Sequence, residues 1–594
     1  MVIMKKICSG VMAMVCLQLA ACGGGGSGTV DLTPAQTIMI GAPVVTLAFG
    51  MKELRFSWST VSGATHYRLL ENPDGTSGFT QVGTDISALS VNHAIPVHRR
   101  LNASYIVQAC NSGGCANSAT QILGANLTQA IGYVKASNPG AGDQFGFAVA
   151  VSGDGNTLAV GALAEDSSTA GTPNEAAADA GAVYVFVRNG NTWSQQAYVK
   201  PSNTGVGDNF GFSIALSVDG NTLAVGAPLE DSSTTGIGSV PNEAAAAAGA
   251  VYVFVRNAGV WSQQAYVKAS NTGAGDNFGA AIALSSDGSK LAVGASLEDS
   301  STTGIGSVSN NAAADAGAVY VYTRSAGIWS QQAYVKASNT GAGDRFGKSV
   351  ALAGDGNTLA VGAWGEDSSA TGIGGTSNEA ATDAGAVYVF IWNDTTWSQQ
   401  AYVKASNTGA GDNFGFSVAL SGDGNTMAVG AHLEDSSTTG IGSASDNLAS
   451  NAGAAYVFAR NGTAWLQQAY VKASNTGADD TFGAALALSS DGNTLAVGAS
   501  LEDGSGTGIG SLSNETAAGA GAVYVFIRTA GIWSQKSTVK ASNTGAGDSF
   551  GHAVALSGDG NALAVGSIGE DSSSIGIGGA PNEAATSAGA VHLY

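Results

Sequence analysis

The sequence predicts an all-β protein in which one unit of four antiparallel strands recurs seven times, after a small β-sandwich. A fixed period is the main observation, because it indicates one supersecondary unit packed against copies of itself. Seven Phe-Gly pairs set that period, with a step of 65 residues once and 68 thereafter, at Phe145, Phe210, Phe278, Phe346, Phe414, Phe482 and Phe550.

Each copy contains four predicted strands, illustrated by the copy that starts at Phe414. Bulky side chains alternate with Gly, Ala and Ser over 414–420 and 426–430, and two further strands are predicted over 454–460 and 465–474. The intervening SGDGN is turn chemistry, since Gly and Asn tolerate positive φ. This alternation favours sheets packed on both faces, and seven such sheets arranged radially form a seven-bladed β-propeller with few free edges.

The two ends of the repeat region predict how the ring closes. Residues 588–594 read as the third strand of the last copy, and no fourth strand follows them. Residues 131–137, IGYVKAS, lie before the first Phe-Gly and repeat the fourth-strand text. We therefore expect 131–137 to complete the last blade, with the propeller covering residues 125–594.

The repeat text resembles a known family. FGFSVALSGDGNTMAVGA followed by GAxYVF is similar to the FG-GAP repeat of integrin α-subunit propellers and of many bacterial surface proteins, and the likeness covers 131–594. In integrins the loop after the first strand often binds calcium through several aspartates. Here each loop has a single Asp, such as Asp423, whereas calcium prefers several carboxylates, so this metal site is not carried over.

The N-terminal residues predict secretion and lipidation. Lys5 and Lys6 precede an apolar run over 7–19, which is typical of a signal peptide over 1–21. The text Leu19-Ala20-Ala21-Cys22 resembles a bacterial lipobox, which implies lipid on Cys22, a flexible tether over 22–36 and an outer-membrane lipoprotein of a Gram-negative bacterium, facing the periplasm or the cell surface. A plain signal peptide, cleaved after a small residue, is the alternative.

Residues 37–124 form a different unit with no copy elsewhere. Short alternating strands separated by Gly, Ser, Asn and Pro turns predict a sandwich. It resembles a fibronectin type III module, which implies core positions for Trp58, Tyr67 and Tyr105. Cys110 and Cys115 flank a four-residue hairpin loop, so we expect a disulfide in an oxidising compartment, with two free thiols as the alternative.

Acidic residues are predicted to gather on one face of the propeller, where strand two ends and strand one begins. The Glu-Asp steps after strand two begin at Glu165, Glu230, Glu298, Glu366, Glu434, Glu502 and Glu570, and a further Asp precedes each Phe-Gly. Calcium could bind between a Glu-Asp step and the following Asn-Glu step, with Glu230, Asp231, Asn242 and Glu243 and their equivalents as ligands. The alternatives are a cationic partner for the whole face, or carboxylates that only brace turns.

The fourth copy departs most from the repeat. It places Arg345 and Lys348 around its Phe-Gly and Trp364 after strand two. Exposed Trp and Arg are favoured at binding hot spots, so Arg345, Trp364, Glu366 and Asp367 form the predicted ligand-binding set. Neutral drift, with Trp364 folded onto the blade, is the alternative.

Composition narrows the function. A formal charge of -21 argues against nucleic acid and against anionic lipid as partners, so membrane contact is expected through the lipid anchor alone. We expect a monomeric, non-enzymatic envelope protein that binds a protein or glycan, with no catalytic residue and no cofactor other than calcium. An extracytoplasmic carbohydrate-active lyase or hydrolase and a purely structural envelope protein are the alternatives.

Overall fold

A computed structural model describes residues 40–169, 173–511 and 514–594. The predicted signal peptide over 1–21, the tether over 22–36 and the lipidation site Cys22 lie outside the described residues. Within the described part, no helix has both the length and the apolar character needed to cross a membrane.

The first unit is a sandwich of two antiparallel sheets. One sheet has the order β1-β2-β5, and the other has the order β4-β3-β6-β7, with β8 also paired to β6. Trp58, Tyr67 and Tyr105 are buried between the sheets, as expected, although the Tyr105 hydroxyl donates to the Glu71 carboxylate at 2.6 Å. The strands are β1 (Val45–Gly50), β2 (Glu53–Trp58), β3 (His66–Asn72), β4 (Thr80–Ile86), β5 (Ser90–Ala94), β6 (Ser104–Asn111), β7 (Gly114–Asn117) and β8 (Gln121–Ile122).

Two short 3₁₀ helices and a disulfide complete this unit. The helices cover Val97–Arg99 and Gly124–Ala130, and the second one leads into the propeller. Cys110 and Cys115 are opposed in the β6–β7 hairpin and joined by a disulfide.

Seven four-stranded antiparallel sheets follow, which confirms the seven-bladed propeller. Blades one to four comprise β10 (Phe145–Val151), β11 (Thr157–Ala162), β12 (Ala182–Asn189), β13 (Thr192–Val199); β14 (Ser213–Leu216), β15 (Thr222–Ala227), β16 (Ala250–Asn257), β17 (Val260–Val267); β18 (Ala281–Leu284), β19 (Lys290–Ala295), β20 (Ala318–Ser325), β21 (Ile328–Val335); and β22 (Ser349–Leu352), β23 (Thr358–Ala363), β24 (Ala386–Trp392), β25 (Trp397–Val403).

Blades five to seven have the same strand order. They comprise β26 (Ser417–Leu420), β27 (Thr426–Ala431), β28 (Ala454–Asn461), β29 (Ala464–Val471); β30 (Ala485–Leu488), β31 (Thr494–Ala499), β32 (Ala522–Thr529), β33 (Ile532–Val539); and β34 (Phe550–Leu556), β35 (Leu563–Ser567), β36 (Ala590–Leu593) together with β9 (Gly132–Val134).

The ring closes as the sequence predicts. Strand β9 pairs antiparallel with β36, with Val134 opposite Val591 and Tyr133 opposite His592. The last blade is therefore completed by the segment that precedes the first one. This pairing joins the two ends of the propeller and leaves the seventh sheet with four strands, like the others.

The Phe-Gly signature has a packing reason. Phe482 is fully buried, with its ring 5.4 Å from Tyr524 and 6.3 Å from Phe526. Gly483 follows at φ +95°, a conformation that side chains disfavour, and its carbonyl lies so close to Gly430 of the preceding blade that a Cβ on Gly430 would collide with it. Strand β26 begins at Ser417, three residues after the expected start at Phe414, whereas β10 and β34 begin at the Phe itself.

At one end of the axis, the seven turns between the first two strands form a closed ring. We call this the lower end. One N–H of each turn donates to a carbonyl of the next, at 2.8–3.0 Å, in the order Gly153, Val218, Ser286, Gly354, Gly422, Ser490, Gly558 and back to Gly153. Backbone groups alone make this ring, so it tolerates Gly, Val or Ser at its positions. The opposite, upper end carries the loops before strand one and after strand two.

The sandwich packs against the lower end and the outer edge of blades six and seven. Lys52 donates to the Asn561 carbonyl at 3.1 Å, and His98 Nε2 lies 3.0 Å from the Gly560 carbonyl. On the outer edge, the Ser537 hydroxyl donates to the His98 carbonyl at 2.6 Å. The sandwich also lies against the blade-six loop after strand two, where Thr128 is beside Gly508 and Leu101 is beside Gly510.

Candidate functional site

The upper end contains a buried layer of ion pairs, one per blade, that we call the Lys–Glu layer. In blade five, Lys472 Nζ donates to Glu434 Oε2 at 2.8 Å, and the Tyr470 hydroxyl donates to Glu434 Oε1 at 2.9 Å. The seven pairs span 2.6–3.2 Å, and their glutamates are 1–2% exposed. The glutamates of the predicted acidic face are therefore internal, whereas the aspartates that follow them, such as Asp435, are half-buried. The seven pairs are Lys135–Glu570, Lys200–Glu165, Lys268–Glu230, Lys336–Glu298, Lys404–Glu366, Lys472–Glu434 and Lys540–Glu502.

The aspartates before each Phe-Gly are also buried. Burial raises the pKa of Asp412 to about 7, and the nearby Glu434 and Asp435 carboxylates raise it further against one hydrogen bond from the Gly409 N–H. The same cause raises the pKa to about 7 in four other copies and to about 6 in two, so these groups gain protons near neutral pH. The full set is Asp143, Asp208, Asp276, Asp344, Asp412, Asp480 and Asp548.

The candidate calcium ligands have other partners. Glu230 pairs with Lys268 at 2.8 Å, and Asp231 Oδ1 accepts from the Ala247 N–H at 2.8 Å. Asn242 Oδ1 accepts from the Ser233 N–H at 3.0 Å, while Glu243 is exposed. Across 40–169, 173–511 and 514–594, no three His, Cys, Asp or Glu side chains are grouped as a metal site requires. The turn-bracing alternative therefore describes these oxygens.

Two residues of the predicted ligand-binding set come together, and two do not join them. The Arg345 guanidinium lies 4.6 Å from the Trp364 ring centre, and both side chains are half-buried at the upper end. Glu366 is instead held inside the blade by Lys404 at 2.8 Å, and Asp367 Oδ1 accepts from the Asp383 N–H at 2.8 Å. Glu366 is thus corrected from a surface residue to an internal one.

The axial mouth is the other feature of the upper end, and it is built from unlike side chains. We define it as the residues two positions after each Phe of the seven Phe-Gly pairs, with Arg345, Trp364 and His432 beside them. First strands of neighbouring blades contact each other around the whole ring, so these positions surround the axis. All are half-buried, and the seven axial residues are Phe147, Phe212, Ala280, Lys348, Phe416, Ala484 and His552.

Aromatic rings border most of this mouth, and its cations lie on one side. Lys348 Nζ lies 5.0 Å from the Phe416 ring, and the His432 ring packs on Phe416 at 3.9 Å. On the other side, Phe147 contacts Phe212 at 5.0 Å and His552 at 4.8 Å. The mouth is thus aromatic, with two cations, Lys348 and Arg345, on one side.

Lys348 and Arg345 carry the positive charge of the axial mouth. Burial and the field of Lys348 lower the pKa of both His432 and His552 to about 4, so both imidazoles are neutral at pH 7. Burial, and then Arg345, lowers the pKa of Lys348 itself. Within the described part of the chain, neither Lys348 nor Arg345 has a carboxylate partner, although the chain carries a net charge of -21.

Two further polar atoms at the mouth lack partners in the described structure. Trp364 Nε1 and His432 Nδ1 are buried and make no hydrogen bond. Buried polar groups in native proteins usually have partners, so such atoms need an explanation. Two unpaired cations, two unused ring nitrogens and several aromatic faces can together bind an anionic ligand that has a flat apolar surface.

Three residues of this mouth lie outside the ligand-binding set predicted from the sequence, although the sequence contains a signal for them. They are Lys348, His432 and His552. Aligned on Phe-Gly, the copies read Phe, Phe, Ala, Lys, Phe, Ala and His at one position, between residues that scarcely change. Variation confined to one axial position is the signal that finds the mouth.

Comparisons with solved structures give weak likenesses. The WD40 repeats of RRP9 match with a TM-score of 0.40 and 9% identity, covering 78% of this chain and 96% of that one. A structure described as FN3tt matches with a TM-score of 0.11 and 19% identity, covering 13% of this chain and 82% of that one. No curated protein matches the sequence.

A protein-family model gives the decisive result. The FG-GAP repeat model matches seven times, over 133–186, 193–254, 261–322, 329–390, 397–458, 465–526 and 533–594, which is well over half of the chain. Each match begins in the fourth strand of one blade and ends in the third strand of the next or directly after it. The first match begins in β9, which is the fourth strand of the seventh blade. The chain therefore belongs to the FG-GAP repeat family.

Proposed function

We propose that this protein is a recognition scaffold whose axial mouth binds a carboxylate-bearing glycan, without turnover. One observation carries the proposal: Arg345 and Lys348 are held half-buried among aromatic rings, with no carboxylate partner among the described residues. Removing a cation from water is costly unless an anion compensates it. A uronic acid supplies that anion, and its ring face suits the Trp364 and Phe416 rings.

The choice of a glycan rests on the shape and chemistry of the mouth. Its rings are half-buried, so they can cover a sugar face without a large rearrangement. The unused Trp364 Nε1 and His432 Nδ1 atoms add hydrogen-bonding capacity beside the cations. This combination of few polar groups on an apolar floor is typical of small-ligand sites.

The test is a calorimetric titration with hexagalacturonate and with a neutral hexasaccharide. We expect binding of the uronate alone, and a loss of about tenfold to a hundredfold in affinity for Lys348→Met, since a hydrogen bond to a charged group contributes about 1.5–3 kcal/mol. Lys290→Met is the matched control, because Lys290 also lies over an aromatic ring, 5.4 Å from that of Trp392, but outside the mouth.

Three outcomes change the assignment. If the uronate does not bind and an acidic peptide does, the partner of the axial mouth is a protein. Shortened oligosaccharide after incubation would favour the enzymatic alternative, in which a neutral His432 or His552 accepts a proton. If Lys348→Met and the unsubstituted protein bind the uronate with equal affinity, the axial mouth is not the binding site.

Placement in the cell envelope is a separate part of the proposal. The lipobox-like text before Cys22 supports a lipid anchor, and the charge of -21 supports a monomer that binds neither nucleic acid nor anionic lipid headgroups. Labelling cells with palmitate should mark the unsubstituted protein and not Cys22→Ser. Protease treatment of intact cells would then report whether the propeller faces outward.

A further inference from the structure

Blade six contains a cavity at the position where its sister blades place a tyrosine ring. The cavity has a volume of about 310 Å³ and is lined by Asn475, Glu502, Gly504, Gly506, Thr538 and Lys540, among others. It lies in the Lys–Glu layer, away from the seven axial residues. The cavity is partly open to solvent, so a small ligand can enter it.

The sister blades show what normally fills this space. In blade five, the Tyr470 hydroxyl donates to Glu434 Oε1 at 2.9 Å, and its ring centre lies 5.3 Å from the Tyr456 ring. Five other blades place a strand-four tyrosine in the same way, with hydroxyl distances of 2.5–2.8 Å to the layer glutamate, namely Tyr133, Tyr198, Tyr266, Tyr334 and Tyr402. Blade six has Thr538 instead.

Two neighbouring side chains are missing at the same place. Gly504 and Gly506 stand where blade five has Ser436 and Thr438, whose hydroxyls lie 3.1 Å apart beside the tyrosine. Three residues smaller than those of blade five therefore border one space.

The groups that line the cavity can accept the hydroxyl and the ring of a phenol. Glu502 Oε1 accepts from Asn475 Nδ2 at 3.0 Å and has no tyrosine donor, while Tyr524 has no ring from strand four beside it. Lys540 Nζ remains on Glu502 Oε2 at 2.6 Å, so the carboxylate keeps its charge balance. Ser511 Oγ lines the same cavity and is buried without a partner in the described structure.

We propose that this cavity, the blade-six pocket, binds a p-hydroxyphenyl group. Its hydroxyl donates to Glu502 Oε1, and its ring packs against Tyr524, in the position that a tyrosine occupies in the sister blades. The ligand is either a small free phenol or the tyrosine side chain of a peptide. The pocket is independent of the carboxylate site proposed at the axial mouth.

Calorimetric titration of the full chain with p-cresol tests the proposal. We expect one site per chain, at least tenfold weaker binding of 4-methylanisole, which lacks the hydroxyl hydrogen, and loss of binding in Thr538→Tyr, which refills the space. Tyr470→Thr in blade five is the matched gain-of-site variant and should raise the stoichiometry to two. N-acetyl-tyrosinamide bound as tightly as p-cresol would assign a peptide tyrosine, and p-cresol alone would assign a free phenol.

Several results would overturn the pocket. They are a silent titration of the unsubstituted protein with p-cresol, equal affinity for 4-methylanisole, and undiminished binding in Thr538→Tyr. The last variant restores the residue that six sister blades already accommodate, so it is expected to fold, and it decides the question even if Tyr470→Thr does not fold.

Discussion

The Lys–Glu layer and the axial mouth both place lysines at the upper end of the propeller, in opposite electrostatic settings. Lys472 donates to Glu434 at 2.8 Å and to the Gly453 carbonyl at 2.6 Å, inside the blade. Lys348 is half-buried against Phe416 and has no carboxylate partner among the described residues. The layer recurs in all seven blades, whereas the axial residues of the mouth are Phe, Ala, Lys or His. The repeated ion pairs thus belong to the framework of the ring, and the departures from the repeat give the mouth its chemistry.

The largest effect expected is that of pH on the stability of the fold, because the seven buried aspartates before the Phe-Gly pairs titrate together. The buried aspartates have pKa values raised to about 6 or 7, so the folded protein binds more protons than the unfolded chain below that range. This stabilisation is complete below the ordinary pKa of Asp, near 4, and is lost as pH rises from there through 6–7. The melting temperature should therefore fall between about pH 4.5 and pH 7, by scanning calorimetry.

Opposing groups are fewer in that window. Four buried histidines with lowered pKa values oppose the loss below about pH 6.5, namely His98, His432, His552 and His592, but they are fewer than the seven aspartates. Lys52, whose pKa is lowered to about 7 chiefly by burial, adds stability only above that pH. The triple variant Asp276→Asn, Asp344→Asn and Asp412→Asn should flatten the pH dependence, and an unchanged slope would contradict the assignment.

The second largest effect concerns stability, and it compares a Lys→Met substitution in the Lys–Glu layer with one in the axial mouth. Lys472→Met leaves Glu434 buried without its cation, which is expected to lower the free energy of unfolding by about 3–5 kcal/mol. Lys348→Met removes a cation that has no acidic partner and should change stability by less than about 0.5 kcal/mol. Urea denaturation measures both, and similar losses would show that the mouth lysine has a partner in solution.

The smallest effect concerns the lower end. Burial by itself would raise the pKa of Asp423, but hydrogen bonds from the Ser421 hydroxyl at 2.5 Å and the Asn425 N–H at 2.9 Å outweigh it and lower the pKa. Asp423→Asn keeps most of this geometry and should cost about 1 kcal/mol. The effect should appear only above pH 4, where the carboxylate is charged, and a larger loss than in Lys472→Met would reverse the order.

Much of the fold was predictable from periodicity. Phe414 and its six equivalents set the blade count, and the fourth-strand text at 131–137 predicted the closure that β9 and β36 make. Strand starts were less accurate: β26 begins at Ser417 rather than at Phe414, and Gly415 between them has φ +91°. A Gly after a Phe is visible in a sequence, but its backbone angle is not.

The site was only partly predictable. Arg345 and Trp364 were correctly placed together as departures from the repeat, while Glu366 was placed on the surface. The error has a physical cause: Glu366 and Lys404 lie 38 residues apart and meet only because strands two and four of one blade end at the same height. An isolated acidic step reads as solvated, since charged residues are rarely buried without a partner.

The sequence by itself determined the seven blades, the strand that closes them and the positions at which the copies differ, because these follow from local alternation and a fixed period. Only the tertiary structure decided which carboxylates are internal, that Lys348, Phe416, His432 and His552 share one mouth, and that Thr538 leaves a cavity. Those properties depend on distances between blades, and a one-dimensional pattern carries no information about depth or about what fills the space beside a side chain.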